Sequence, residues 1–297
     1  MSFHSLLVGG NPFQTSSIYT LIHFLERQWG VYFPRGGTHA LVQALVKLFE
    51  ELGGEIRLNT PVKHAKLSSN LPGSQHIITD NNGTKQTYDV VVSNADIHHT
   101  YQNIYADHPV ARKRTKKLEK MDWSMSLFVL HFGTDIEYKD VAHHTIYFGK
   151  SYEKHLDKIF EKKILSEDIS YYLHRPSATD PNMAPSDQDA FYVLVPVPNN
   201  LSKINWIDEG DKFKDLVLDK MDKTILPGIK ENVISDFYLT PDYFEIDLAT
   251  LHGSGFSIQP KFSQSAYFRF HNQSEVFNNL YFVGAGTHPG AGMPGVL

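Results

Sequence analysis

The sequence contains no cysteine in 297 residues. This excludes disulfides, thiolate metal centres and cysteine nucleophiles, and it fits a cytoplasmic setting. Long hydrophobic runs are missing as well. The longest, SLFVLHF and FYVLVPVP, are strand-length, well short of the ~20 apolar residues a membrane-spanning helix needs. The opening MSFHSLLVGG has no basic region and only a short apolar patch, so it does not read as a signal peptide. Neither sign of charge dominates, with 28 Lys and Arg against 33 Asp and Glu, so no nucleic-acid partner is expected. Histidines number 16, yet no HExxH or comparable spacing occurs. The neighbours His98-His99 and His143-His144 should point apart on a helix or strand, so no metal site is expected. GSGFS is not GxSxG, which argues against a serine hydrolase.

Several helices and strands are legible. In PFQTSSIYTLIHFLERQWG, Ser16 or Ser17 can cap a helix with an Ile18, Leu21, Ile22, Leu25 face that ends at Gly30. Thr38 is the expected N-cap of a second helix, carrying Leu41, Ala44, Leu45, Leu48, Phe49 and Leu52 and stopped by Gly53-Gly54. EIRLN and VKHAKL read as short strands, and HIITDNNGTKQTYD as a hairpin with a type I′ turn at Asn82-Gly83. DVVVSNAD is nearly all apolar and is expected to be a strand buried on both faces. Farther on, SLFVLHFGTD and AFYVLVPVP read as strands. SYEKHLDKIFEKK and DKFKDLVLDKMDKTILPG read as amphipathic helices, the second stopped by Pro227-Gly228. The basic run RKRTKKLEK is either a solvated helix face or a contact for an anionic membrane.

The C-terminal YFVGAGTHPGAGMPGVL is a strand running into a loop with five glycines, Gly284, Gly286, Gly290, Gly292 and Gly295. Glycines in that position bring backbone amides close to a phosphate, because a side chain would block the approach. The first half of a dinucleotide-binding domain, a strand followed by GxGxxG and a helix, is not found in the first thirty residues.

Taken in order, SFHSLLVGGNPF, FPRGGT, LVQALVKLFEELGGE, SNAD, SLFVLHFG, AHHT, YLHRP, YVLVPVP, GSGFSIQP, QSAYFRFHN and NLYFVGAGTHPGAGMPGV resemble the flavin-containing amine oxidoreductase superfamily. Within it they are similar to the bacterial phytoene desaturases. The resemblance covers essentially the whole chain. It implies an α/β fold with mixed α+β character, a partial Rossmann-like FAD-binding domain and an inserted substrate domain of mixed sheet and helices. The expected division is 1–28 as a helical part of the substrate domain, 29–100 as the middle FAD segment, 101–258 as substrate domain and 259–297 as the last FAD segment. The chain is expected to be an internal and C-terminal piece of a longer enzyme.

The implied activity is FAD-dependent desaturation of phytoene toward lycopene. The rival activities are desaturation of C30 dehydrosqualene, carotenoid ketolation, and carotenoid or lipid binding without catalysis. The resemblance implies FAD contacts at Gly284, Gly286, Thr287, His288, Met293, Pro294, Gly295 and Val296, and an adenine contact through the backbone of Val62. Arg35, Gly36 and Gly37 would lie at the junction of cofactor and substrate domains. No catalytic acid or base can be assigned. Expected partners are phytoene and partly desaturated carotenoids, a membrane surface touched peripherally from the cytoplasm, and, as an open option, further copies of the chain in a homo-oligomer.

Overall fold

The computed structural model describes residues 2–69 and 73–292. Ten strands are assigned among them: β1 (Val62–Leu67), β2 (His76–Asp80), β3 (Lys85–Tyr88), β4 (Val91–Ser93), β5 (Ser126–Thr134), β6 (His144–Tyr147), β7 (Tyr171–His174), β8 (Asp189–Val197), β9 (Val233–Leu239) and β10 (Leu280–Phe282). They form an antiparallel sheet β1-β2-β3, a parallel pair β10-β4, and a sheet ordered β6-β7-β8-β5-β9. Helices and strands are thus mixed, as expected.

Two compact units result. One gathers residues 1–23, 57–125 and 243–297; the other gathers 24–56 and 126–242. These cuts fall elsewhere than the expected divisions after residues 28, 100 and 258. In particular, 101–125 and 243–258 join the unit that holds the C-terminal loop.

The first unit carries a core of Tyr101, Tyr105, Leu118, Trp123, Ile258, Phe277, Leu280 and Phe282. Its helix Pro109–Leu118 begins on a proline, where no N–H is lost, and turns Ala111, Thr115 and Leu118 inward at helical spacing. The hairpin β2-β3 forms, but its turn differs from the expected type I′. Of Asn82 and Gly83 only Gly83 has positive φ, and the Asp80 carboxylate accepts from the N–H groups of Asn82 and Thr84. This is a three-residue loop with glycine in the left-handed position. EIRLN is irregular rather than a strand, because among the described residues no neighbour takes its backbone groups into a ladder. DVVVSNAD is half-exposed: Val90 and Val92 are open, and among the described residues only β10 pairs with β4.

In the second unit, the alternation in SLFVLHFGT and DAFYVLVPV sends Phe128, Leu130, Phe132, Phe191, Val193 and Val195 to one face of the five-stranded sheet. Helix Trp206–Asp222 covers that face with Phe213, Val217 and Met221. Asn205 caps this helix, its side chain accepting from Ile207 N–H at 3.1 Å. The helix stops at Asp222, five residues before Pro227, and the Asp222 carboxylate receives Gly228 N–H.

The second expected helix runs Gly37–Glu51, with Gly36 rather than Thr38 as its cap. Gly36 takes the left-handed conformation and offers its N–H to the Asp180 carboxylate at 2.7 Å, which replaces a side-chain cap. Leu45, Leu48 and Phe49 remain about half-exposed on this helix.

Candidate cofactor site

β4 and β10 run parallel in register, Leu280 opposite Val91 and Phe282 opposite Ser93. Their carboxyl ends therefore emerge on the same side, the place where open parallel sheets receive ligands. β4 continues into Asn94-Ala95-Asp96, and β10 continues through Val283 into Gly284. Val283 N–H donates to Ser93 O at 3.0 Å, so the pairing persists to the start of the loop.

Gly284 has φ +101°, and a Cβ there would lie 2.8 Å from Asn94 Oδ1. Any other residue would meet both backbone strain and a collision. Thr287 is buried, and its N–H and hydroxyl both donate to Gly284 O, at 3.2 and 3.0 Å. Its side chain thus closes the loop on itself. His288 is exposed; its N–H donates to Phe270 O, and its own carbonyl accepts from Asn272 Nδ2. Gly286 has a local explanation, since a Cβ there would approach Ser257 Oγ to 3.0 Å. Met293, Pro294, Gly295 and Val296 lie outside the described residues.

Val62 opens β1 and is 43% exposed, which leaves part of its surface available to a ligand. It borders an open cleft of about 610 Å³, whose wall includes Ile78, Val92, Asn94 and His99. Asn94 thus belongs to this cleft and also faces Gly284, so the wall of the cleft reaches the start of the loop. Arg35, Gly36 and Gly37 belong to the other compact unit.

Two residues that sequence reasoning missed shape the same region. Asp96 accepts from His98 N–H at 2.8 Å and His99 N–H at 3.4 Å, capping the short turn after β4. Burial pushes its carboxyl up to about 6, against the opposing pull of those hydrogen bonds. An aspartate closing the Ser93-Asn94-Ala95 stretch after an apolar run, and followed by Ile-His-His, was the signal for such a cap.

The second is Arg269, which is 3% exposed. Its guanidinium donates to the carbonyls of Ile258, Phe256 and Ala285, tying the loop to two earlier segments. Among the described residues its Nε has no partner, and burial lowers its pKa to about 10. This cation is held, among the described residues, by carbonyls rather than by a carboxylate. No spacing rule would have singled it out.

These features fit a flavin dinucleotide. The cleft wall is apolar enough for a flat ring, the loop approaches closely only because Gly284 lacks a side chain, and a buried positive charge stands behind the loop.

The sequence profile described as "Flavin containing amine oxidoreductase" matches residues 1–297. The chain is 48% identical over 297 residues to phytoene desaturase (lycopene-forming) of Pantoea ananas, covering 100% of this chain and 60% of that protein. It is 49% identical to the protein of the same description from Pseudescherichia vulneris, again over 100% of this chain and 60% of that one. The chain therefore spans about 60% of the length of the curated relatives it matches. Among solved structures, an oxidoreductase from Methanosarcina mazei superposes with TM-score 0.68 at 15% identity, over 99% of this chain and 61% of that one. At that identity the likeness speaks to fold alone. With its whole length matched and its loop built at the carboxyl end of a parallel strand pair, the chain belongs to the flavin-containing amine oxidoreductase family.

Proposed function

We propose that this chain serves the FAD-dependent desaturation of phytoene toward lycopene. The observation that carries this reading is the 48% identity, over every residue of the chain, to a lycopene-forming phytoene desaturase. Identity falls to 44% for a neurosporene-forming relative and to 33% for one acting on the C30 diapophytoene, which favours the C40 substrate and the longer desaturation series.

FAD, when bound, supplies the oxidant for removing a hydride from one carbon while a proton leaves its neighbour, giving a trans double bond. The chain's own part is to bind and to orient. The backbone of Val62 would meet the adenine. The loop from Gly284 to His288 would lie along the ribityl-phosphate region; Met293, Pro294, Gly295 and Val296, further proposed cofactor contacts, lie outside the described residues.

Arg269 would act through the loop, holding Ala285 O and adding a positive charge behind a dianionic pyrophosphate. An unactivated hydrocarbon offers no polar handle, so catalysis rests on holding it in a dry, apolar channel. Drawing such a substrate from a bilayer requires contact with the membrane. Lys113, Lys116 and Lys117, all exposed on helix Pro109–Leu118, suit a peripheral contact with anionic headgroups. Among the described residues no helix is long and apolar enough to cross a membrane.

The test is a chimera in which this chain replaces its aligned segment of the Pantoea ananas enzyme. The purified chimera is given phytoene in liposomes with FAD, and the products are separated by chromatography. Lycopene is expected. A chimera that retains flavin yet leaves phytoene untouched would overturn the proposal, and turnover of diapophytoene alone would reassign it to the C30 series.

A further inference from the structure

The five-stranded sheet has a second face, opposite helix Trp206–Asp222, and one row of rings crosses all five strands on it. The register places His144 opposite His174, His174 opposite Tyr192, Tyr192 opposite His131, and His131 opposite Phe237. The row explains why His144 and His174 meet, because directly opposed residues share a face. His143 joins them for a different reason. It sits in a bend just before β6 rather than in the strand, so its ring is not sent to the opposite side. The two neighbouring rings lie 4.3 Å apart, and His143 lies 4.6 Å from His174. The expectation that adjacent histidines point apart fails here for that reason.

We propose that His143, His144 and His174 form a binding site for a divalent transition-metal ion of the zinc, cobalt or nickel type. One ring nitrogen from each lies within 4.8 Å of the others, and His143 Nε2 and His174 Nε2 are 2.8 Å apart. Ligands about 2.0–2.1 Å from a shared tetrahedral ion require modest spreading of that pair.

Two of the three rings have outer contacts that suit the role, while His174 Nδ1 is buried with no hydrogen-bond partner among the described residues. His143 Nδ1 is held by Thr179 Oγ1 and His144 Nδ1 by the Tyr172 hydroxyl. Metal-binding imidazoles are oriented in this way through their second nitrogen, which leaves Nε2 for the ion. His144 is exposed and gives solvent access, while Phe33 packs against both His143 and His174. The neighbouring Arg175 poses no obstacle, because its guanidinium is paired with buried Asp189 at 2.8 Å. Three imidazoles leave a fourth position for water.

The experiment titrates the purified 297-residue chain with Co²⁺ and follows visible d–d absorption, with Zn²⁺ competition against a chromogenic chelator. One ion per chain is expected, with the intense bands of a low-coordinate cobalt site. His144→Gln, at an exposed position, should weaken binding by about tenfold or more with an unchanged unfolding midpoint. His131→Gln, on the same row but outside the cluster, should leave affinity unchanged. An absence of cobalt bands in the folded wild type would overturn the assignment, as would equal affinity in the wild type and His144→Gln.

Discussion

Gly284 shows how a single missing side chain can decide a site. Gly284→Ala would force a Cβ to within 2.8 Å of Asn94 Oδ1 at a φ of +101°. Strain of this kind costs of order 1–3 kcal/mol. A urea titration should therefore show a lower midpoint for the variant; equal midpoints would mean that the loop does not press on Asn94. Gly286→Leu, by contrast, would strike Ser257 and Ile97 within the protein itself, so flavin loss in that variant reports packing as well as cofactor contact.

His155 governs a pH response at the same scale. Its buried ring accepts from Ser170 N–H through Nδ1, and burial lowers its pKa to about 4. Above pH 6.5 the ring is neutral in both folded and unfolded chains and contributes no slope. Between 6.5 and about 4 only the unfolded chain takes up this proton, so stability falls as pH falls, by up to ~1.4 kcal/mol per pH unit. Urea midpoints measured from pH 7.5 to 4.5 should drop more steeply in wild type than in His155→Gln. Parallel curves would exclude His155 as the source.

At the scale of the element, helix Pro109–Leu118 separates into working faces. Ala111, Thr115 and Leu118 are buried; Arg112 reaches back to Ala106 O; Arg114 pairs with Glu275. Lys113, Lys116 and Lys117 of the basic run are exposed on this helix. Changing these three to glutamate should reduce flotation with anionic liposomes at low salt by roughly tenfold or more, with the unfolding midpoint unchanged. Undiminished flotation would make the helix an ordinary solvated one. Helix Gly37–Glu51 poses the complementary case: Leu45, Leu48 and Phe49 form an apolar face that stays open, and such a face favours association.

At the scale of the molecule, no strand–GxGxxG–helix unit lies within the first thirty residues. That unit ordinarily supplies the main pyrophosphate contact of a dinucleotide domain. The 297 residues expressed alone should accordingly lose FAD on gel filtration, read as flavin absorbance per protein. Stoichiometric retention would show that the cleft beside Val62 and the loop after Gly284 suffice for tight binding. Such retention would also leave the chimera experiment unaffected.

The sequence by itself determined the elements whose cause is local. Alternation wrote β5 and β8, helical spacing wrote helix Trp206–Asp222 from residue 211 onward but not its first turn, and the crowding of glycines after YFV marked the loop, because each signal lies within a few neighbouring residues. Family likeness added Val62 and FAD, which no spacing in this chain reveals. Tertiary structure decided what depends on partners distant along the chain. EIRLN has strand-like composition but no ladder to join, and the valines of DVVVSNAD are half-exposed because pairing with β10 covers only one edge. Asn94 faces Gly284 across 190 positions of sequence, and Arg269 holds a carbonyl sixteen residues ahead of it. His143, His144 and His174 came together through strand register and one bend. Register is set by pairing between strands, so a list of histidines along one chain could not display it.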